Sequence, residues 1–290
     1  MRSAAVLLLL LAGALVALPA SSSSADEAEK FWKPPRPVNR ARWSEEWSAP
    51  PENVLLVSDD SWRPPKFIPL GKTGEAYLSF GGEYRLAYEN YDPADMGLSD
   101  VGRQDAVLHR LAAHVLFRPS RKWRIFGQLG YADSMDREGG AHPRDATKVD
   151  IWQLFVDHGI EIGEGERVVL RLGRQILETA NYYIGAAEAR NVRQYYDGLR
   201  LVWIDREDVR LDAFAAEYVD AADGAFDMGG TGEYFWGLRY GMPVREGAAD
   251  LSALYLGWDL KDRQFEQSGA GQHDEQRHQL VLWLYRPLSG

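Results

Sequence analysis

The chain has 290 residues, contains no cysteine and carries a formal net charge of -10 at neutral pH. The lack of cysteine excludes disulfide scaffolds, zinc thiolate sites and cysteine nucleophiles, and the acidic charge argues against a general nucleic-acid binder. Hydrophobic residues form 45% of the chain, but only the N-terminus has a long apolar run, which excludes a multi-span helical membrane protein.

Residues 1–25 have the pattern of a secretory signal peptide. Arg2 precedes an apolar core that runs to Leu18, and small residues follow this core as far as Ala25. A short positive end, an apolar core and a small-residue site are the features that signal peptidase recognises. We expect cleavage after Ala25, with cleavage after Ala20 as the alternative, and therefore a mature chain outside the cytoplasm.

Residues 26–76 form a separate segment in which prolines and aromatic residues are interleaved. Proline fixes φ and lacks an N–H, so this composition predicts irregular backbone and no central strand. We expect the segment to pack at the periplasmic mouth of a β-barrel formed by the rest of the chain, or to enter it. A disordered linker is the alternative, although such linkers contain few aromatic residues.

The remainder of the chain consists of segments of about ten residues in which apolar and polar residues alternate, as in the strands of a membrane barrel. Val209, Leu211 and Ala213, for example, face one way. Arg210 and Asp212 face the other way. Burying these charged side chains in an apolar core costs free energy, whereas a water-filled lumen removes most of that cost. The predicted strands are 77–91, 106–118, 122–133, 149–162, 166–177, 194–204, 208–219, 232–242, 249–260 and 275–286.

The connections between these strands alternate in length. Tight turns at 119–121 and 205–207 contrast with long polar connections, as expected for short periplasmic turns and long outer loops. The long connections are 134–148, 178–193 and 261–274. A soluble β-sandwich is the alternative, but it rarely combines these features. We therefore predict that residues 77–290 form an all-β, transmembrane antiparallel β-barrel in the bacterial outer membrane.

The last predicted strand ends at Arg286 and lacks the aromatic terminal residue that is usual in bacterial barrels. We therefore expect a chain that is truncated at its C-terminus, with further strands in the complete barrel. A small closed barrel of ten strands stays open as the alternative, and side chains would fill most of its lumen.

Three blocks of this sequence resemble the alginate-export family of outer-membrane barrels. They lie in order along residues 60–205, and the third block is the most specific. The residues after Gln175 depart from the Gly- and Arg-containing continuation that is usual in the family. The blocks are FIPL at 67–70 with YLSFGGEYR at 77–85, RIFGQL at 124–129, and RLGRQ at 171–175 with RNVR at 190–193 and YDGLRL at 196–201.

The resemblance implies a monomeric, 18-stranded barrel that passes an anionic polyuronate through an arginine-lined constriction. Because members also occur outside alginate producers, the substrate stays open between alginate, another acidic glycan and small anions. We expect contact with outer-membrane lipid and possible periplasmic secretion partners, and neither a cofactor nor nucleic acid.

Ten residues are predicted to line the passage. Alternation turns Arg171 inward, whereas Arg174 breaks the phase and is expected at the rim, near a bulge. Arg200 and Asp197 fall on opposite faces of their strand. Inward arginines with a few carboxylates would attract anions; the alternative is a set of structural ladders that brace the wall. The predicted residues are Glu83, Arg85, Arg110, Arg124, Arg171, Arg174, Arg193, Asp197, Arg200 and Arg210.

We therefore predict a channel, either an acidic-polysaccharide exporter or an anion-selective porin. The alternative is a non-transporting structural or adhesive barrel. An outer-membrane lipase or acyltransferase would need a Ser, His and carboxylate set, and the sequence offers no recognisable hydrolase motif. We expect no catalytic residues and no metal site, because the acidic clusters at 92–100 and 220–227 lack the ligand periodicity of a calcium loop.

Overall fold

The computed structural model of the chain describes eleven strands and parts of their connections. The predicted signal peptide and most of residues 26–76 lie outside the described residues. Within the described part, no helix is long and apolar enough to cross a membrane. The described residues are 68–71, 75–92, 103–135, 145–177, 190–206, 209–220, 231–245, 249–263 and 273–285.

All eleven strands belong to one antiparallel sheet, in which each strand pairs with its neighbours in sequence. The ten predicted strands are all present, and their ends differ from the predicted ones by at most three residues. No pairing joins the first to the eleventh strand in the described residues. The strands are β1 Ile68–Leu70, β2 Ala76–Tyr91, β3 Gln104–Ser120, β4 Trp123–Met135, β5 Thr147–Gly163, β6 Glu166–Gln175, β7 Tyr195–Ile204, β8 Arg210–Val219, β9 Tyr234–Arg245, β10 Ala249–Arg263 and β11 His273–Tyr285.

The short strand β1 lies in the segment for which the prolines predicted irregular backbone. It pairs with β2 only, with Pro69 opposite Tyr77. Proline cannot donate a hydrogen bond to a neighbouring strand, so it is tolerated where a strand has a partner on one side. In the described sheet β1 is such an edge strand, and the proline therefore limits its pairing without preventing it.

The connections alternate in length as predicted. Short turns follow β1, β3, β5, β7 and β9, and long connections follow β2, β4, β6, β8 and β10. In an antiparallel meander this alternation places all short turns at one end of the sheet and all long connections at the other. The turn after β7 is closed twice, because Asp205 N donates to Val209 O at 3.0 Å and Val209 N donates to Asp205 Oδ1 at 2.9 Å.

The two faces of the sheet differ in character. The face that we call outer exposes apolar side chains, as the lipid-facing side of a membrane barrel does, and the face that we call inner buries polar and charged ones. Examples on the outer face are Tyr84, Leu86, Leu111, Leu129 and Leu172. Examples on the inner face are Arg110, Gln128, Asp157, Arg171 and Asp212.

The inner face also contains a hydrophobic cluster, which strand alternation alone did not predict. Phe126 and Phe155 stack with their ring centroids 5.3 Å apart, and Trp152 stacks on Tyr195 at 5.9 Å. The pairing of β4 with β5 shifts by one residue at Trp152, which is therefore the extra residue of a β-bulge. Its indole lies over Gly130 of the neighbouring strand, where a Cβ atom would stand only 2.0 Å from the ring.

We expect the substitution Gly130→Ala to destabilise the protein by about 1–3 kcal/mol, because the added methyl group must displace the Trp152 indole from a packed cluster. The measurement is the free energy of unfolding in lipid vesicles, from urea titration followed by tryptophan fluorescence. Gly127→Ala is the matched control on the same strand, since a Cβ there would meet side-chain atoms at 3.7 and 3.8 Å. Equal free energies for the two variants would show that the glycine under Trp152 is not needed.

Candidate functional site

Asp157 of β5 lies between two arginines on the inner face. The register sets it opposite Arg124 of β4 and opposite Arg171 of β6. Arg171 Nε donates to Asp157 Oδ1 at 2.7 Å and Arg171 Nη2 donates to Oδ2 at 3.0 Å. Arg124 Nε donates to the same Oδ2 at 3.0 Å. The carboxylate is 1% exposed, so both guanidinium groups hold it away from water.

Asp212 of β8 is shared in the same way. Arg200 of β7 donates through Nε at 2.8 Å and through Nη2 at 2.5 Å, which is the paired-fork geometry that makes arginine–carboxylate bonds strong. Arg210 donates to the same carboxylate at 3.1 Å. Arg200 also lies directly opposite Arg171. These two like charges tolerate each other because each has its own carboxylate.

A third shared carboxylate, Glu83 of β2, brings in a residue from outside the sheet. Arg110 of β3 donates to Glu83 Oε1 through Nε at 3.0 Å. Arg193 belongs to the connection between β6 and β7, and its Nη2 lies 3.5 Å from Glu83 Oε2. The last residues of this connection therefore lie on the inner face and contact β2, the first long strand.

The three groups share one composition, which is two arginines around one carboxylate. Each group of three therefore contains one more positive than negative charge. Removing a charge from water is expensive, and it is tolerated when hydrogen bonds and an opposite charge replace the hydration shell. Arginine suits this arrangement because its guanidinium is rigid, planar and more weakly hydrated than an ammonium group.

Eight of the ten residues predicted to line the passage occupy inner-face positions or contact them. The other two, Arg174 and Asp197, lie opposite each other at outer-face positions, next to exposed Leu154. They form their own pair, with Arg174 Nε 3.0 Å from Asp197 Oδ1. Arg174 also donates to the carbonyl of Ile151 at 3.1 Å, beside the bulge. The structure does not bring this pair to the inner-face groups.

Sequence reasoning missed two residues of this site, Arg239 and Asn191. Arg239 of β9 lies opposite Asp212, and its guanidinium carbon is 5.6 Å from the centroid of the Trp283 ring. Residues 235, 237 and 239 alternate in the same way as the other strands, so the pattern could have identified it. Asn191 lies in a long connection, where no periodicity identifies a buried side chain.

The described residues contain no group of three or more His, Cys, Asp or Glu side chains that could hold a metal ion. Glu83, Asp157 and Asp212 on the inner face are each bound by two arginines instead. Arginine side chains grouped in this way are of the kind that bind carboxylate and phosphate oxygens.

Four features define a β-barrel protein of the bacterial outer membrane. They are the continuous antiparallel meander, the apolar outer face, the charged inner face and the alternation of short and long connections. The family model for alginate export matches residues 76–285, which is the region from β2 to β11. The chain belongs to the alginate-export family, an outer-membrane family of polysaccharide transport channels. The predicted family, fold class and location are thereby confirmed. A search of curated proteins finds no match, and neither does a search of solved structures.

We expect Asp157→Asn to cost about 3–5 kcal/mol in unfolding free energy, because it leaves two buried guanidinium groups around a neutral amide. Glu164→Gln is the control: Glu164 pairs with Arg206 at 3.6 Å, and both side chains are well exposed. Exposed pairs contribute about 0–1 kcal/mol. Urea titration in lipid vesicles measures both variants. A cost for Asp157→Asn no larger than that of the control would contradict the bracing role of this carboxylate.

Proposed function

We propose that the chain provides an anion-selective passage for an acidic polysaccharide across the outer membrane. The observation that carries the proposal is the composition of the three inner-face groups, in which two arginines share one carboxylate. A wall built in this way presents net positive charge to a solute. Rings and rows of such side chains set the charge preference of a pore.

The overall charge of -10 does not oppose this proposal, because charge acts locally. Acidic residues cluster in the connections at 92–100 and 220–227, whereas the described inner face is rich in arginine. Exposed charges more than about 10 Å apart are largely screened at physiological salt. A solute inside the passage would therefore respond to the arginines of the wall.

The carboxylates have a second role in this proposal. Conduction requires a solute to bind strongly enough to enter and weakly enough to leave. A wall of bare arginines would retain a polyanion, because every uronate unit would find a bidentate partner. Sharing Asp157, Asp212 and Glu83 occupies much of the hydrogen-bonding capacity of the guanidinium groups and leaves one net positive charge in each group.

The arginines divide into two classes by exposure. Arg124 and Arg171 are each 7% exposed beside Asp157, and we assign them to bracing the wall. Arg210 is 41% exposed. Arg239 is partly exposed and contacts the Trp283 ring. We propose that Arg210 and Arg239 meet the solute. A non-transporting barrel would use all of its inner-face arginines to brace the wall. In this proposal, only some of them have that role.

The proposal also covers the N-terminal residues and the oligomeric state. We propose that residues 1–25 direct secretion and are then removed, and that residues 26–76 lie at the periplasmic mouth of the barrel or enter it. We also propose that the protein acts as a monomer, as the family resemblance implies. Each of these proposals is independent of the charge on the inner face.

We expect Arg239→Ala to lower the permeability ratio of chloride to potassium about fivefold, since one charge beside a wet passage contributes on the order of 1 kcal/mol. The measurement is the reversal potential of the full-length protein in a planar bilayer under a KCl gradient. Arg206→Ala on a short turn is the control, because Arg206 is 61% exposed and pairs with Glu164 of the neighbouring turn instead of an inner-face carboxylate.

Oligouronate added to the same bilayer should block the current through the unmodified protein, and Arg239→Ala should weaken that block. Cation preference in the unmodified protein would overturn the proposal and leave a general porin. The absence of any current from folded protein would instead favour the non-transporting barrel.

A further inference from the structure

The last part of the connection between β6 and β7 lies on the sheet. Its residues 190–193 return onto the inner face, where Asn191 is completely buried and Val192 is 2% exposed. Val192 belongs to the hydrophobic cluster that contains Phe126 and Trp152. A polar connection that buries its residues in this way has a specific attachment, since buried backbone and amide groups require partners.

The Asn191 side chain provides that attachment. Its Nδ2 donates to the carbonyls of His109 at 2.8 Å, Asp133 at 3.1 Å and Asp145 at 2.8 Å. These acceptors belong to β3, β4 and the residues that lead into β5. Only the NH₂ end of an amide can face three carbonyl oxygens, so the environment fixes the orientation of this side chain. An aspartate of the same shape has no hydrogen to offer there.

Two strand arginines attach the same segment from its other side. Arg85 Nη1 and Arg110 Nη1 each donate to the carbonyl of Arg190 at 3.3 Å. The pairing of Arg193 with Glu83 then fixes the far end of the segment. Residues 190–193 are thus bound to β2, β3, β4 and the start of β5, and they cover the inner face near the end with the long connections.

We propose that Asn191 is the positioning residue that fixes residues 190–193 across the inner face, where this segment narrows the passage and presents Arg193 to Glu83. The inference rests on the proposed function and names the element that sets the width of the passage. Asn191 acts through the segment and does not itself meet the solute. The segment is a fixed constriction, because its attachments reach β2, β3, β4, the start of β5 and a hydrophobic cluster.

Two independent readouts test this role. In planar bilayers, Asn191→Ala should raise the single-channel conductance and the open-channel noise, because the released segment no longer narrows the passage. Asn191→Asp should behave in the same way, because it keeps the shape and loses the donors. Asn191→Ser keeps one donor and should be intermediate, and it also provides a milder variant if the alanine variant folds poorly.

The second readout uses the absence of cysteine in this chain. A single Val192→Cys substitution should be protected from a membrane-impermeant thiol reagent, since the position is buried. Combining it with Asn191→Ala should speed labelling on the order of tenfold or more, because the loss of these hydrogen bonds shifts the segment towards an open state. A merely structural role of Asn191 elsewhere in the fold would not change labelling at this position.

Gln153→Leu is the matched control. Gln153 is a buried inner-face amide that donates to Gln128 Oε1 at 2.8 Å, a contact between two strands that does not involve the segment. Its removal should leave both conductance and Val192→Cys labelling unchanged. Labelling that stays slow with Asn191→Ala, or conductance that stays unchanged, would overturn the inference. The unmodified protein could instead show no anion preference while Asn191→Ala still changes both conductance and labelling. That result would contradict the proposed selectivity and still support the constriction.

Discussion

A carboxylate that two guanidinium groups share is the interaction on which this molecule depends. Asp157 joins β4, β5 and β6 into one row, Asp212 joins β7 to β8, and Glu83 attaches a connection to β2 and β3. Each carboxylate stabilises at least one arginine in a buried position that an unpaired guanidinium would not occupy. Since the carboxylate cancels only one of the two charges, the interaction that braces the wall also leaves it positive. In the proposed function, stability and charge preference therefore have a common origin.

The backbone supports this arrangement by keeping the strands in register. A shift of one residue would send every inner arginine to the outer face, so the pairing of Arg171 with Arg200 and Asp157 requires an uninterrupted ladder between β5 and β7. The single-residue bulge at Trp152 lies at the far end of this region. It places a large ring on the inner face without disturbing the charged row beside it.

Alternation in the sequence predicted the ten long strands and the sides of Arg171 and Arg200, because side-chain direction in a strand depends only on parity. It could not predict which arginine shares which carboxylate, since partners depend on register and on rotamers. β1 was missed because its proline indicated irregular backbone. Asn191 was missed for a different reason. Its acceptors lie 46 to 82 residues away in the chain, and a local sequence pattern cannot indicate a contact between residues so far apart.

The separation between Asn191 and its acceptors has a consequence for the order of assembly. Every strand pairs with a sequence neighbour, so the sheet can grow one hairpin at a time with short loop closures. The Asn191 amide is different, because its three acceptors exist together only after β3, β4 and the start of β5 have formed. Residues 190–193 therefore dock only once this part of the wall has formed, whether or not β7 to β11 are yet in place. Under the proposed constriction, a sheet in which β3, β4 or the start of β5 is misplaced would form a wall without a narrowed passage.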